Sequence, residues 1–109
     1  MRSRREWVAF CLSLGGCWED YPFDEEWTVM RHRGNRRSFA FFYERGGTLW
    51  VNCKCPPEEG DFLRAHVPGF FPAYHMNKTH WVTAALDGRA DEGEVERVIR
   101  QSYALTRPQ

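Results

Sequence analysis

The chain has 109 residues, of which 42% are hydrophobic and 16% aromatic. A chain of this length forms one domain that buries about two thirds of its unfolded surface, and its apolar content excludes extensive disorder. Fifteen basic and fifteen acidic residues cancel. Because a neutral domain lacks the overall field that drives non-specific nucleic-acid binding, any such role must depend on a local basic patch.

The N-terminal segment is predicted to be a helix from Arg4 to Leu14. Ser3 and Glu6 have the spacing of a capping box, and Gly15-Gly16 allows a left-handed helix end. One apolar stripe follows the helical repeat: Trp7, Phe10, Cys11 and Leu14.

The same segment also has features of a lipoprotein signal, because Arg2, Arg4 and Arg5 precede an apolar run that ends at Cys17. The run is too short and Glu6 interrupts the basic start, so the helix is the better interpretation. No uncharged run reaches the ~18 residues of a membrane span. We expect a soluble cytoplasmic protein, monomeric and not bound to a membrane.

An acidic and aromatic segment follows, Cys17–Trp27, with five acidic residues among four aromatic ones. Pro22 keeps it irregular or extended. It lacks the alternation of oxygen ligands typical of calcium loops. We interpret the segment as a solvated rim or as an electrostatic partner for the basic hairpin that comes next.

Three strands are predicted as an antiparallel meander: Trp27–Arg33, Arg37–Glu44 and Thr48–Lys54. Gly34-Asn35 is expected to form a two-residue turn, and Gly46-Gly47 a second one. The alternation places Phe39, Phe41 and Tyr43 on one face. Both faces carry apolar side chains, so we expect one to pack on helices and the other to be partly wet.

The second half adds a short helix that starts at Pro56-Pro57 and ends near His66, a strand over Thr79–Leu86, and a helix over about Glu92–Thr106 with Asp91 as its cap. Strands grouped between helices predict an α+β fold of two layers in the order α-β-β-β-α-β-α. The sheet has four to five antiparallel strands with the helices on one face. The helical residues predicted to be buried against it are Trp7, Phe10, Leu14, Val95, Val98 and Ile99.

Between these elements lies Pro68–Trp81, a stretch with neither helical nor strand periodicity. Aromatic side chains on irregular backbone are typical of a loop over the core or of a recognition surface. His75, Asn77, Lys78 and His80 place hydrogen-bond donors in this stretch. The expected role of His75, Asn77 and His80 is to fix the loop through hydrogen bonds to the backbone.

The four cysteines, Cys11, Cys17, Cys53 and Cys55, include no CxxC pair. Metal binding would require them to converge from distant segments. We therefore expect free, reduced thiols, with neither a metal nor another cofactor.

Several segments in collinear order resemble the MmcQ/YjbR family of small bacterial proteins. They are Glu19–Phe23 with Trp27, Asn52–Cys55, Ala73–Lys78 with His80 and Trp81, Leu86–Gly88, and Ser102-Tyr103. The resemblance implies a CyaY-like fold, also similar to secretion chaperones, and a DNA-binding role through a winged surface. It also marks a family-motif loop: Tyr74, His75, Asn77, Lys78, His80 and Trp81. The extra arginines of the first hairpin depart from the family pattern.

The residues allow three classes of function. Arg31, Arg33, Arg36 and Arg37 surround the first hairpin turn, where with Lys78 they are candidates for phosphate contacts. Catalysis by His75, Lys78 or His80 is disfavoured, because no nucleophile motif, phosphate loop or carboxylate pair accompanies them. The prediction is a non-enzymatic DNA-binding domain. The alternative is a protein- or peptide-binding module that uses the aromatic 68–81 loop.

Overall fold

A computed structural model describes residues 1–109. Its three helices are α1 (Arg4–Ser13), α2 (Pro57–His66) and α3 (Glu92–Thr106). Its six strands are β1 (Cys17–Asp20), β2 (Thr28–His32), β3 (Ser38–Arg45), β4 (Thr48–Lys54), β5 (Phe70–Pro72) and β6 (Trp81–Ala85). The α+β prediction is confirmed. None of the helices combines the length and apolar character that a membrane crossing needs.

The strands form one antiparallel sheet in the order β1-β2-β3-β4-β6-β5. The predicted number of strands was too low, because β1 and β5 are short segments at the two edges. β5 lies inside the stretch predicted to be irregular, and Pro72 is tolerated there because an edge strand leaves some N–H positions unpaired. Sequence periodicity is too weak a signal over three or four residues to identify either strand.

The predicted helix ends and caps are confirmed closely. Ser3 and Glu6 make both bonds of the capping box, and Asp91 accepts a hydrogen bond from the Glu94 N–H. Gly15 and Gly16 have φ of +91° and +59° beyond the end of α1. The predicted helical stripes pack into one core with the sheet, fully buried except for Phe10 and Leu14 at its margin.

The prediction that Phe39 shares a face with Phe41 and Tyr43 was wrong, because β3 contains a bulge. Met30 pairs with Ala40 but Arg31 pairs with Ser38, so Phe39 is an extra residue in β3. Phe39 is buried in the helix-side core, 5.1 Å from the ring of Tyr103 on α3. Phe41 and Tyr43 point to the opposite face, which we call the open face because no helix packs on it.

The turn between β2 and β3 is also longer than predicted. The His32 N–H donates to the Arg37 carbonyl and the Arg36 N–H to the His32 carbonyl, so residues 33–36 form the connection. Arg36, not a glycine, takes the left-handed conformation, with φ +63°. The Asn35 amide donates to the Thr106 carbonyl at 2.9 Å, which fastens the turn to the end of α3.

His32 lies beneath this turn and is 1% exposed. Its Nε2 is 2.8 Å from the Thr106 hydroxyl, which itself donates to the Ser102 carbonyl, so Nε2 carries the proton. Burial is the main cause that lowers the pKa of His32, with Arg37 adding to it and the Tyr103 backbone opposing it. The imidazole is therefore held neutral.

This burial predicts a pH-dependent stability. Because the folded pKa lies below the ordinary 6.5, the unfolded chain takes up the proton first. Neutral His32 therefore contributes its full stabilisation of the fold above the unfolded pKa, and this stabilisation is lost as the pH falls through the folded pKa. We expect the free energy of unfolding, measured by urea denaturation, to decrease between about pH 7 and pH 5.5.

The variant His32→Gln should be less stable at neutral pH but should show a much weaker dependence over this interval. His66→Gln, a change at an exposed site, should keep the dependence of the unchanged chain. Equal pH dependence in all three proteins would show that His32 is not responsible.

Candidate functional site

The lysine and arginine side chains differ in whether the fold brings a carboxylate close enough to form an ion pair. Eight of the fifteen lysines and arginines form an ion pair within 4.0 Å, and seven do not. Six of these seven lie at one end of the sheet, which we call the basic end: Arg33, Arg36, Arg37, Lys54, Lys78 and Arg107. The seventh, Arg45, lies at the opposite end, as the last residue of β3.

Strand register places these residues together. β2 ends and β3 begins at the turn that carries Arg33, Arg36 and Arg37. β4 ends there with Lys54, which pairs with Trp81 at the start of β6, and Lys78 lies just before that strand. The neighbouring carboxylate without an ion pair is Glu58 in the first turn of α2.

One predicted member of the hairpin site is not available to a ligand. The Nε of Arg31 is 2.7 Å from the Asp20 carboxylate, and its Nη1 donates to the Ser38 hydroxyl at 3.1 Å. Its side chain is 24% exposed. Arg31 is therefore engaged within the fold, unlike the other arginines of the turn, because the register of β1 and β2 places Asp20 within reach of it.

The remaining arginines of the turn are exposed, and Arg33 and Arg36 stand beside Trp18. The Arg33 guanidinium is 5.9 Å from the Trp18 ring centroid, and an open cavity of about 310 Å³ lies between Trp18, Arg33 and Arg36. Gly34 lies against Pro108, with no room there for a Cβ atom. The turn thus presents guanidinium groups from a backbone held by the C-terminal segment.

The family-motif loop is tied to the open face through Asn52. The Asn52 carboxamide oxygen accepts hydrogen bonds from the Tyr43 hydroxyl at 2.8 Å and the Thr83 hydroxyl at 2.6 Å. Its amide donates to the Tyr74 carbonyl at 2.8 Å, and the Tyr74 N–H donates to Thr83. Burial raises the pKa of Tyr43 to about 12, so the phenol keeps its proton and donates.

The loop is also fixed from within by Asn77. Its side-chain oxygen accepts from the N–H groups of Thr79 and His80, and its carbonyl from the Trp81 N–H. His75 makes no side-chain hydrogen bond, is exposed and has φ +59°. The expected loop-fixing role therefore fits Asn77 and not His75.

Aromatic rings continue this arrangement across the open face. Trp27 stacks on Tyr43 with centroids 4.2 Å apart, and Tyr43 stacks on Tyr74 at 5.4 Å. The Arg45 guanidinium lies 4.1 Å from the Tyr74 centroid. Phe41 contacts Trp81 edge to face at 5.6 Å. The sequence identified Tyr74 and Trp81 through the motif but did not identify Phe41 or Trp27 as neighbours of the loop.

The chemistry available in this loop is limited. His75 and His80 are both exposed, and neither has a side-chain hydrogen bond to an acid or a nucleophile.

The four cysteines are buried and free. Burial raises the pKa of the Cys11 and Cys53 thiols, which keeps them protonated. No three His, Cys, Asp or Glu side chains are arranged to hold a metal ion.

Comparison with known protein families identifies the family of this chain. The sequence model of the YjbR family matches residues 12–105. The chain belongs to the YjbR family. The match includes the family-motif loop and every member of the basic end except Arg107.

Among relatives in this family, the protein YyaQ of Bacillus subtilis is 33% identical over 100 residues, which cover 83% of this chain and 81% of YyaQ. YjbR of Escherichia coli K12 is 26% identical over 98 residues, covering 90% of this chain and 81% of the relative.

Solved structures show the same fold. A crystal structure of a Pseudomonas syringae protein is 29% identical with a TM-score of 0.87, and it covers 97% of this chain and all of its own. A crystal structure from Deinococcus radiodurans is 33% identical with a TM-score of 0.83, covering 96% of this chain and 78% of its own.

The buried network around Asn52 gives a stability prediction. Replacing Asn52 with alanine removes the acceptor of the Tyr43 and Thr83 hydroxyls and the donor to the Tyr74 carbonyl, so we expect a loss of at least about 2 kcal/mol in the free energy of unfolding. Tyr43→Phe removes a single hydrogen bond and should cost about 1 kcal/mol. Urea denaturation measures both. A loss for Asn52→Ala no greater than that for Tyr43→Phe would contradict the role of Asn52 as the shared partner.

Proposed function

We propose that the protein is a non-enzymatic DNA-binding domain that contacts phosphates through the basic end. The observation that supports this most directly is the sorting of charges. The chain is neutral overall, yet six of its seven cations without an ion pair lie at one end of the sheet. Ion pairs neutralise eight of the arginines, so the local field at the basic end exceeds what the composition suggests.

The form of the basic end suits a duplex backbone. Arg33, Arg36 and Arg37 project from a two-stranded turn, a type of element that can enter a groove or follow a phosphate backbone. The turn is held by Asn35 on the end of α3, so its arginines are displayed from fixed backbone. The proposal includes a cytoplasmic location for the protein, because DNA binding requires access to DNA.

The number of phosphate contacts sets the expected salt dependence of DNA binding. Each phosphate neutralised contributes about 0.9 to the slope of log affinity against log salt, so six cations set an upper limit of about 5. Binding of this kind is weak and non-specific, with a dissociation constant of about 10⁻⁴ to 10⁻⁶ M at physiological salt. Sequence preference would require base contacts in addition.

The test is a salt titration of duplex binding followed by fluorescence anisotropy. The double variant Arg36→Ala/Arg37→Ala should bind every duplex more weakly and should lower the slope by nearly two units. The matched control is Arg97→Ala/Arg100→Ala, which removes the same charge from α3, where both arginines are ion-paired and about half exposed. The control should lower the slope much less.

Two outcomes would contradict the proposal. One is the absence of binding by the unchanged protein at about 50 mM salt, where a phosphate-driven complex is strong. The other is an equal change of slope in the control, which would assign the effect to net charge and not to the basic end.

Arg31 provides a separate prediction, because its guanidinium is engaged by Asp20 and Ser38. Arg31→Ala should lower the free energy of unfolding by about 1 kcal/mol and should leave the salt slope almost unchanged. Urea denaturation and the same titration measure the two effects. A slope reduced by about one unit, with no loss of stability, would mean that Arg31 leaves its ion pair to contact DNA.

A further inference from the structure

A second surface lies between two loops on the open face. Five residues line a cavity of about 440 Å³: Phe23, Trp27, Phe41, His75 and Met76. Phe23 and Trp27 belong to the loop that joins β1 to β2, His75 and Met76 belong to the family-motif loop, and Phe41 is the floor. We call this cavity the open-face groove.

The groove is almost entirely apolar and is held in shape. Trp27 is stacked on Tyr43, whose hydroxyl is bonded to the buried Asn52. Phe23 meets Trp27 edge to face at 6.4 Å, yet it is 68% exposed. An aromatic side chain this exposed beside a preformed apolar cavity is typical of a contact surface for another molecule.

The loop that carries Phe23 is acidic. Asp24, Glu25 and Glu26 are exposed, and none of their carboxylates forms an ion pair. Asp24 accepts from the Glu26 N–H, which shapes the loop. Two cations of neighbouring segments are engaged otherwise: Arg4 donates to the Glu26 carbonyl and pairs with Glu44, and Arg45 lies over Tyr74. The rim next to the groove therefore attracts positive charge and repels phosphates.

These features point to the chemistry of the occupant. A small-molecule site usually directs several polar groups at its ligand, whereas His75 is the one polar side chain that lines the groove. An apolar cavity with an acidic rim instead complements a side chain that is apolar and is flanked by basic residues. We infer that the open-face groove binds a polypeptide segment of a partner protein that presents one bulky apolar side chain next to lysine or arginine.

This interaction is independent of DNA binding. β1 and β2 meet the acidic loop at the end of the sheet opposite the β2–β3 turn. The arginines of the basic end do not line the groove. The domain could thus hold DNA at one end and a basic protein segment at the other.

The probe is a library of twelve-residue peptides displayed on phage, selected against the immobilised full chain at low salt. We expect the enriched peptides to share one aromatic or large aliphatic residue with lysine or arginine close by. Synthetic copies of them should bind Phe23→Ala about tenfold or more weakly, as is usual for loss of an anchor side chain. The matched control is Phe62→Ala on α2, a similarly exposed phenylalanine outside the groove, which should bind as the unchanged protein does.

Two further variants test separately whether peptide binding depends on the rim charge and whether it depends on the basic end. Asp24→Asn/Glu25→Gln/Glu26→Gln should weaken binding and reduce its salt dependence, because the groove remains while the rim charge is lost. Arg36→Ala/Arg37→Ala should leave peptide binding unchanged, so loss of DNA binding and loss of peptide binding can be told apart.

The inference is overturned if no peptide is enriched, if the enriched peptides are acidic, or if Phe23→Ala and Phe62→Ala bind them equally. Analytical ultracentrifugation of the unchanged chain tests whether a second copy of the chain occupies the groove. A dimer that Phe23→Ala dissociates and Phe62→Ala does not would assign the groove to a second copy of the chain and would also overturn the inference.

Discussion

Asn52 is the residue on which the open face depends. It lies in β4, a central strand, and is fully buried between Tyr43 on one neighbouring strand and Thr83 on the other. Its carboxamide accepts from both hydroxyls and donates to the Tyr74 carbonyl, so one side chain joins three strands to the family-motif loop. A buried carboxamide that is satisfied in this way holds its neighbours in a single arrangement, because any alternative leaves a polar group without a partner.

When helices pack on one face of a sheet only, the apolar side chains of the other face must be buried by other parts of the chain. Here the cover consists of two loops, one before β2 and one before β6, and rings stacked on Tyr43 join them. The cover is incomplete, and the open-face groove is the space between the loops. The high aromatic content of the chain is therefore divided between a helix-side core and a second, partly exposed layer.

Charge pairing gives this neutral chain two distinct ends. Arginines on the helices and on β2 meet carboxylates that the fold brings to them, as Arg31 meets Asp20. Those of the β2–β3 turn meet none, and the acidic loop before β2 likewise keeps free carboxylates. Composition reports only the sum of these charges. Their separation is what makes an anionic partner at one end compatible with a cationic partner at the other.

Local chemistry in the sequence determined the helices, their caps, the three strands of the meander and the α+β class, because caps, glycine turns and apolar periodicity act over a few neighbouring residues. Tertiary structure decided the rest. The bulge that turns Phe39 to the helices depends on pairing with β2, and β1 and β5 are strands only because a neighbour offers hydrogen bonds. For the candidate site, the sequence named the exposed arginines and the motif loop. It could not show that Arg31 is engaged or that Phe23, Phe41 and His75 line one cavity, since the fold brings these residues together from distant parts of the chain.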